Sequence, residues 1–230
     1  SALVGGDGRL GVLPLGTLNH FAKDLGIPLK LEDAIRNVFI GRPLAVDVGE
    51  VNGRLFLNNS SLGIYPRIVR LREAHQRKGV RKWIAFVKAL VYVLRRPRSI
   101  YLRLKIDDEH SRARKTPFVF IGNNRYEISG LSIGKRAGLT DGRIWICQAP
   151  TADRWGLFRL TLRALAGAIR DSDLEAVEAR EVWIDTRHRR AAGESDISTD
   201  GEVARMAAPF HYRSRPAALR VIVPPEDEAG

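Results

Sequence analysis

The stretch Ala45-Val46-Asp47-Val48-Gly49-Glu50-Val51 alternates in polarity, Asn52-Gly53 follows, and Arg54-Leu55-Phe56-Leu57-Asn58-Asn59 returns. Alternation with a period of two puts one set of side chains on each face of a strand. Asn-Gly supplies the positive φ angles that a tight two-residue hairpin turn demands. The pattern then repeats at intervals. Ile100 to Ile106, Phe118 to Asn123, Arg143 to Gln148, Glu181 to Asp185, Asp196 to Thr199 and Leu219 to Val223 all read as short strands between turn signals. Many short strands of this kind point to a β-sandwich or barrel over residues 43–224.

Residues 1–42 have a different texture. Leu10 to Leu15 reads as a short buried strand ending at a turn. Thr17 or Asn19 is placed to cap a helix through Phe21, Ala22 and Leu25, which Gly26-Ile27-Pro28 stops. Leu31 to Ile40 forms a second short helix, closed by Gly41-Arg42-Pro43. The expected organisation is a partial α/β nucleotide-binding domain over 1–42, a mainly β domain with inserted helices over 43–224, and a frayed acidic tail over 225–230. The last strand is free to pack back on the first segment. One inserted helix is expected around Val80, Trp83, Ile84, Val87, Leu90, Val91 and Leu94, an apolar stripe of period 3.6 among Arg77, Lys78, Arg81, Lys82, Lys88, Arg95, Arg96 and Arg98. The other runs from Trp155 to Ile169.

Among 230 residues, 38 Lys+Arg stand against 26 Asp+Glu, a formal net charge of +12. Such an excess suits nucleic acid, an acidic membrane surface or a phosphorylated small molecule, and equally a solvated basic surface. No aromatic-rich RNA-binding strand is present, so no nucleic acid partner is expected. No apolar run approaches the roughly 20 residues of a membrane span, and Ser1-Ala2-Leu3-Val4 does not read as a secretory signal. The single cysteine, Cys147, forms no internal disulfide, which fits a reducing cytoplasm. His20, His75, His110, His188 and His211 show no zinc-binding spacing, and Ser60-Ser61-Leu62-Gly63 lacks the nucleophile-elbow pattern of a serine hydrolase.

Three glycine-containing turns carry the chemistry. Gly5-Gly6-Asp7-Gly8 is either a tight turn or a phosphate loop. It is neither a Walker A loop nor a dinucleotide Gly-x-Gly-x-x-Gly. Close behind, Gly16 lets backbone N–H groups approach a phosphate, Thr17 adds a hydroxyl, and the start of a helix favours negative charge. Asp141-Gly142 serves equally as an ordinary hairpin turn or as a loop whose carboxylate and free carbonyls give Mg²⁺ hard oxygen ligands. Asp200-Gly201-Glu202 is a turn, or a carboxylate pair able to take a proton from an attacking alcohol or to bind the metal.

Taken in order, Gly-Gly-Asp-Gly at 5–8 and Pro-Leu-Gly-Thr-Leu-Asn-His-Phe-Ala-Lys-Asp-Leu-Gly-Ile-Pro at 14–28 resemble the diacylglycerol kinase catalytic-domain family, which includes sphingosine kinases and bacterial lipid kinases. Phe56-Leu57-Asn58-Asn59-Ser60-Ser61-Leu62-Gly63, Gly122-Asn123-Asn124, Leu139-Thr140-Asp141-Gly142 and Asp200-Gly201-Glu202 continue the similarity across nearly the whole chain. The resemblance implies an ATP-binding α/β domain followed by a β-sandwich, with the active site between them. It implies that Gly5, Gly6, Asp7 and Gly8 hold nucleotide phosphates and that Thr17 contacts the nucleotide. It further implies that Asp141 binds Mg²⁺ with the backbone carbonyls of Gly138 and Arg143. Glu202 would accept the proton of a lipid hydroxyl, with Asp7 as the rival for that role. ATP, Mg²⁺ and a lipid at an anionic membrane surface are the implied partners. A homodimer is a further expectation, as is a cytoplasmic protein peripherally associated with the inner face of the membrane.

Family members carry βα units before the Gly-Gly-Asp-Gly loop and a helix and strand after it. Here four residues precede the loop, and Gly8 runs straight into Arg9-Leu10-Gly11-Val12. The chain is therefore expected to hold a nearly complete sandwich and an incomplete nucleotide half, with weak ATP binding of its own. Two other functions stay open on the sequence: an NAD kinase-like enzyme, since those enzymes share a Gly-Gly-Asp-Gly loop, and a non-catalytic lipid- or anion-binding β-domain.

Overall fold

The structure, a computed structural model, describes residues 2–16, 18–77, 99–107, 112–129, 132–150, 154–166, 168–169, 171–186 and 194–225, together with residues 84, 88, 91, 92 and 95. The strands are β1 (Arg9–Leu10), β2 (Arg42–Val51), β3 (Arg54–Phe56), β4 (Asn59–Gly63), β5 (Ile100–Ile106), β6 (Arg112–Thr116), β7 (Phe118–Asn123), β8 (Tyr126–Ser129), β9 (Ser132–Arg136), β10 (Ile144–Gln148), β11 (Glu175–Ala179), β12 (Glu181–Thr186), β13 (Glu194–Thr199), β14 (Glu202–Ala207) and β15 (Phe210–Val223). The helices described in full are α1 (His20–Asp24), α2 (Leu31–Ile40), α3 (Ile64–Arg77) and α4 (Arg154–Leu165).

One sheet runs β3-β2-β15-β12-β5-β6, with β1 added in parallel to β15. The other runs β11-β10-β7-β4-β13-β14, and all of its pairings are antiparallel. Between them lies an apolar layer containing Val51, Phe56, Leu62, Leu104, Ile121, Ile146, Ile184, Phe210 and Tyr212. Burial of such a side chain stabilises the fold by roughly 1.5–3 kcal/mol relative to leaving it exposed. This is the expected mainly β architecture of two packed antiparallel sheets.

The alternation in β2 serves two cores. Val51 faces the other sheet, whereas Val46 and Val48 face the opposite way with Leu219, Val221 and Val223. On that outer face they meet Phe21 and Ala22 of α1, Leu25 just after it, and Ala34 of α2. The Asn37 amide of α2 donates to the Ile222 carbonyl at 3.2 Å, tying α2 to the end of β15. The first forty residues thus pack on the outside of the sandwich and extend its first sheet.

The Asn52-Gly53 turn forms as expected, with φ of 46° and 84°. Other details differ. Of the expected strand Leu10 to Leu15 just Leu10 is in one, at the end of β1, and the chain then builds the segment before α1. Asn19 occupies the residue before α1 with φ 49°, but its side chain does not cap the helix; it donates to the Pro14 carbonyl at 3.0 Å. The Trp155 to Ile169 helix is present as Arg154–Leu165. The helix expected over 80–94 lies outside the described residues, apart from single positions such as Ile84 and Val91. The tail at 226–230 also lies outside them.

Candidate active site

A cleft of about 480 Å³ opens between the segment Val12–Ala22 and the turns that close the sandwich above it. Pro14, Gly16, Leu18, Asn19 and Phe21 form one wall, and Asn58, Asn59, Tyr65, Asp200 and Gly201 form the other. The first wall owes its shape to a closed turn. The Asn19 amide holds the Pro14 carbonyl, and a Cβ on Gly16 would come within 2.9 Å of Asn19 Oδ1. Thr17 lies outside the described residues.

The second wall is pinned by Asp200. Its carboxylate accepts from the backbone N–H groups of Leu57 at 2.7 Å, Asn58 at 2.8 Å and Asn59 at 3.1 Å. Its own N–H donates to the Asn59 carbonyl at 2.8 Å. The β13–β14 turn, with Asp200 at φ 49° and Gly201 at φ 88°, is thereby fastened to the β3–β4 crossing. Glu202 follows immediately, with a side chain 80% exposed and paired to Arg54 at 2.9 Å. Arg54 Nε also donates to Thr199 Oγ1 at 2.7 Å, so the cation is held from two sides.

A second group of expected residues gathers round the bulge that separates Arg215 from Leu219 in β15. Gly5, in the left-handed region at φ 78°, donates its N–H to the Ala218 carbonyl at 2.8 Å. Gly6 and Gly8 continue an exposed turn, in which a Cβ on Gly8 would meet the Leu3 side chain at 2.5 Å. Asp7 is fully exposed and accepts from Arg220 at 3.0 Å. On the other side of the bulge, the buried Asp47 carboxylate accepts from Gly142 N at 2.7 Å and Ala217 N at 2.8 Å. Asp47 N in turn donates to the Leu139 carbonyl at 2.8 Å. Asp47 therefore moulds the loop that carries Asp141.

Asp141 and Gly138 meet closely in that loop. The Asp141 carboxylate lies against Gly138, where a Cβ would fall 2.8 Å and 2.9 Å from its two oxygens. Only a residue without a side chain leaves the Gly138 backbone open to this carboxylate. One carboxylate with the carbonyls of Gly138 and Arg143 is an oxygen set that Mg²⁺ accepts while keeping several waters. The Arg143 carbonyl already accepts from Asn124 N at 3.0 Å, which fixes its direction and leaves a second lone pair. Among the described residues no three His, Cys, Asp or Glu side chains gather as a metal set, so a metal here would rest mainly on backbone oxygen.

The two groups are joined through Asn123. Its amide donates to the Asp47 carbonyl at 2.8 Å and to the Leu57 carbonyl at 3.0 Å, linking the Asp141 loop to the Asp200-pinned crossing. Asp7 and Glu202 are held by cations on different strands, Arg220 on β15 and Arg54 on β3. Asp47, Arg136 and the clamp function of Asp200 were not singled out on sequence. Asp47 carried a signal, since it is a carboxylate at a position of β2 that shares the face of Val51.

The family described as YegS C-terminal NAD kinase beta sandwich-like domain matches residues 61–223, and the Diacylglycerol kinase catalytic domain matches residues 2–51. A "Probable lipid kinase YegS-like" of Pseudomonas syringae pv. syringae (strain B728a) is 30% identical over 97% of this chain and 70% of its own length. The chain belongs to the YegS-like lipid kinases of the diacylglycerol kinase family. A "Probable lipid kinase YegS" of Escherichia coli (strain SMS-3-5 / SECEC) is 27% identical over 94% of this chain and 69% of its own. The crystal structure of a diacylglycerol kinase from Bacillus anthracis str. Sterne superposes with a TM-score of 0.61 at 17% identity, covering 94% of this chain and 67% of that one. A second Bacillus anthracis str. Sterne structure superposes with a TM-score of 0.69 at 21% identity, over 94% and 70%. These superpositions establish the shared fold. Membership in the lipid kinase family makes the cleft between the Val12–Ala22 segment and the Asp200 turn the candidate active site.

Proposed function

We propose that this lipid kinase transfers the γ-phosphoryl group of ATP to the hydroxyl of diacylglycerol or a related lipid alcohol. The observation that carries the reading is the cleft itself, which sets the Pro14–Ala22 motif opposite Asn58, Asn59 and the turn leading into Glu202. Leu13, Leu18 and Tyr65 stand partly exposed along it, an apolar border suited to a glycerolipid whose hydroxyl enters and whose acyl chains remain in the membrane.

In this reading the Gly5–Gly8 turn receives nucleotide phosphates on backbone N–H groups, and Glu202 removes the hydroxyl proton as the alcohol oxygen bonds to the γ-phosphorus. The bond from that phosphorus to the bridging oxygen breaks, and ADP leaves. Most of the catalysis is positioning and charge neutralisation. Arg54 orients the Glu202 carboxylate from the sandwich side. Asp141, with the carbonyls of Gly138 and Arg143, would hold Mg²⁺, whose positive charge offsets that of the phosphates. The exposed Asp7 stands as the alternative base.

The acceptor lies in a bilayer, so the reading includes a cytoplasmic protein that visits an anionic membrane face. The net charge of +12 supports such attraction, and no described helix is long and apolar enough to cross the membrane. The test is transfer of labelled phosphate from ATP to diacylglycerol in liposomes by the full-length protein. Label appearing in phosphatidic acid supports the reading; absence of transfer to any lipid alcohol overturns it.

A further inference from the structure

Arg136 is buried behind the cleft and touches both of its walls. Its side chain is 0% exposed and that of its partner Asp24 is 4% exposed. Nε donates to Asp24 Oδ2 at 2.8 Å, on the α1 side. Nη1 donates to the Leu57 carbonyl at 2.7 Å, and Nη2 reaches Asn58 Oδ1 at 3.5 Å, on the crossing side. The guanidinium also lies 5.6 Å from the centre of the Phe21 ring and 6.0 Å from that of Tyr126. Phe21 lines the first wall and Asn58 the second, while Tyr126 donates its hydroxyl to the Asn58 carbonyl at 3.0 Å.

We propose that Arg136 is a positioning residue, which sets the separation of the two cleft walls and through it the affinity of the site for its substrates. A buried ion pair is weak evidence for stability, because well-packed apolar groups of similar volume serve as well or better. What a guanidinium adds is direction. Its planar fork serves several acceptors at fixed angles, whereas an ammonium is a point charge on a flexible stem. Here the fork addresses Asp24 with one nitrogen and Leu57 with another, so α1 cannot shift relative to the crossing without breaking a charge-assisted hydrogen bond. Substrates that contact both walls sense that separation.

The kinetic arm of the test rests on the lipid kinase reading; the spectroscopic arm does not. Arg136→Lys keeps a cation and Asp24→Asn an acceptor at these buried positions, and circular dichroism with a urea titration confirms that each variant is folded before its kinetics are read. Expected is a KM about tenfold higher for ATP or for diacylglycerol in mixed micelles, with kcat held within about twofold. A fall in kcat at unchanged KM, the mark of a smaller folded fraction, overturns the proposal. In parallel, spin labels at Leu18→Cys and Tyr65→Cys span the cleft, and native Cys147 is buried away from the reagent. The distance distribution across the labels should broaden or shift when Arg136→Lys is added. An identical distribution with and without Arg136→Lys overturns the proposal. The kinetics use the full-length protein; if its wild type transfers no phosphate, the lipid kinase reading fails and the label distances alone decide for or against Arg136.

Discussion

Arg54 donates to the Glu202 carboxylate at 2.9 Å while its Nε holds Thr199, so the carboxylate directly after the Asp200–Gly201 turn is aimed by a cation from the neighbouring sheet. General bases contribute roughly 10²–10⁴-fold to turnover. Glu202→Gln should therefore lower kcat by about 100-fold or more, and because the Glu202 side chain is 80% exposed the loss of the pair should cost under about 1 kcal/mol of stability. Turnover assays with a urea titration check both. Wild-type kcat in the mutant would transfer the base role to Asp7, and Asp7→Asn would then show the loss.

Asp200 is expected to matter for shape instead. Its carboxylate collects three backbone N–H groups from residues 57–59. Hydrogen bonds to charged groups contribute about 1.5–3 kcal/mol each, and at an exposed turn water replaces part of that, so Asp200→Ala should cost about 2 kcal/mol. The urea midpoint should fall and KM should rise, as the second cleft wall loses its clamp. A midpoint equal to wild type would show that the turn holds without it.

Asp141→Asn should raise the Mg²⁺ concentration needed for half-maximal turnover by about tenfold or more. The backbone carbonyls of Gly138 and Arg143 remain, but the single carboxylate of the set is gone. An unchanged Mg²⁺ titration would reduce this loop to a turn shaped by Asp47.

Alkaline pH should loosen the wall behind the cleft. Burial pushes the Tyr126 hydroxyl up from 10.0 to about 12, an effect the neighbouring Arg136 guanidinium opposes. Between those values the unfolded chain has released a proton that the folded chain keeps. The stabilising contribution is thus complete below pH 10 and is lost as pH rises toward 12, on the order of 1 kcal/mol per pH unit. Tyr212, also pushed up by burial, adds to the same slope. Tyr126→Phe should show a shallower decline between pH 9 and 11 in chemical denaturation, and an equal decline would exclude Tyr126 as its source.

Arg95, Arg96 and Arg98 should draw the protein to anionic lipid. At about 1 kcal/mol per basic residue near such a surface, replacing all three by Gln should weaken vesicle binding by roughly 100-fold. The wild-type interaction should weaken as salt rises. Binding to phosphatidylserine vesicles that is indifferent to salt and to the substitution would remove these arginines from the membrane contact.

Much of the sandwich was legible because its strands announce themselves locally. Ile100–Ile106 and Phe118–Asn123 match their expected limits, and Asn52-Gly53 makes the turn its φ preferences dictate. Elements whose logic is tertiary were silent. β6, Arg-Ala-Arg-Lys-Thr, is an edge strand with three charged residues on its two faces, so periodicity gives it no apolar face. α3 begins Ile64-Tyr65-Pro66, and a proline tolerated in the first turn of a helix reads from sequence as a breaker. At the site, the turn residues were visible and their supports were not. Asp24 and Arg136 lie 112 positions apart, and no local pattern shows that one pairs with the other.

β15 joins β2 on one side and, through Arg9 and Arg220, accepts β1 in parallel. The N–H of Gly5 ends on the carbonyl of Ala218 in that same strand. During synthesis the glycine turn emerges from the ribosome more than two hundred residues ahead of its anchor. It can take its final shape only once β15 has been translated and docked, so the order of manufacture runs opposite to the order of assembly. Until β15 is made, a nascent chain carries the glycine turn without the strand that holds it.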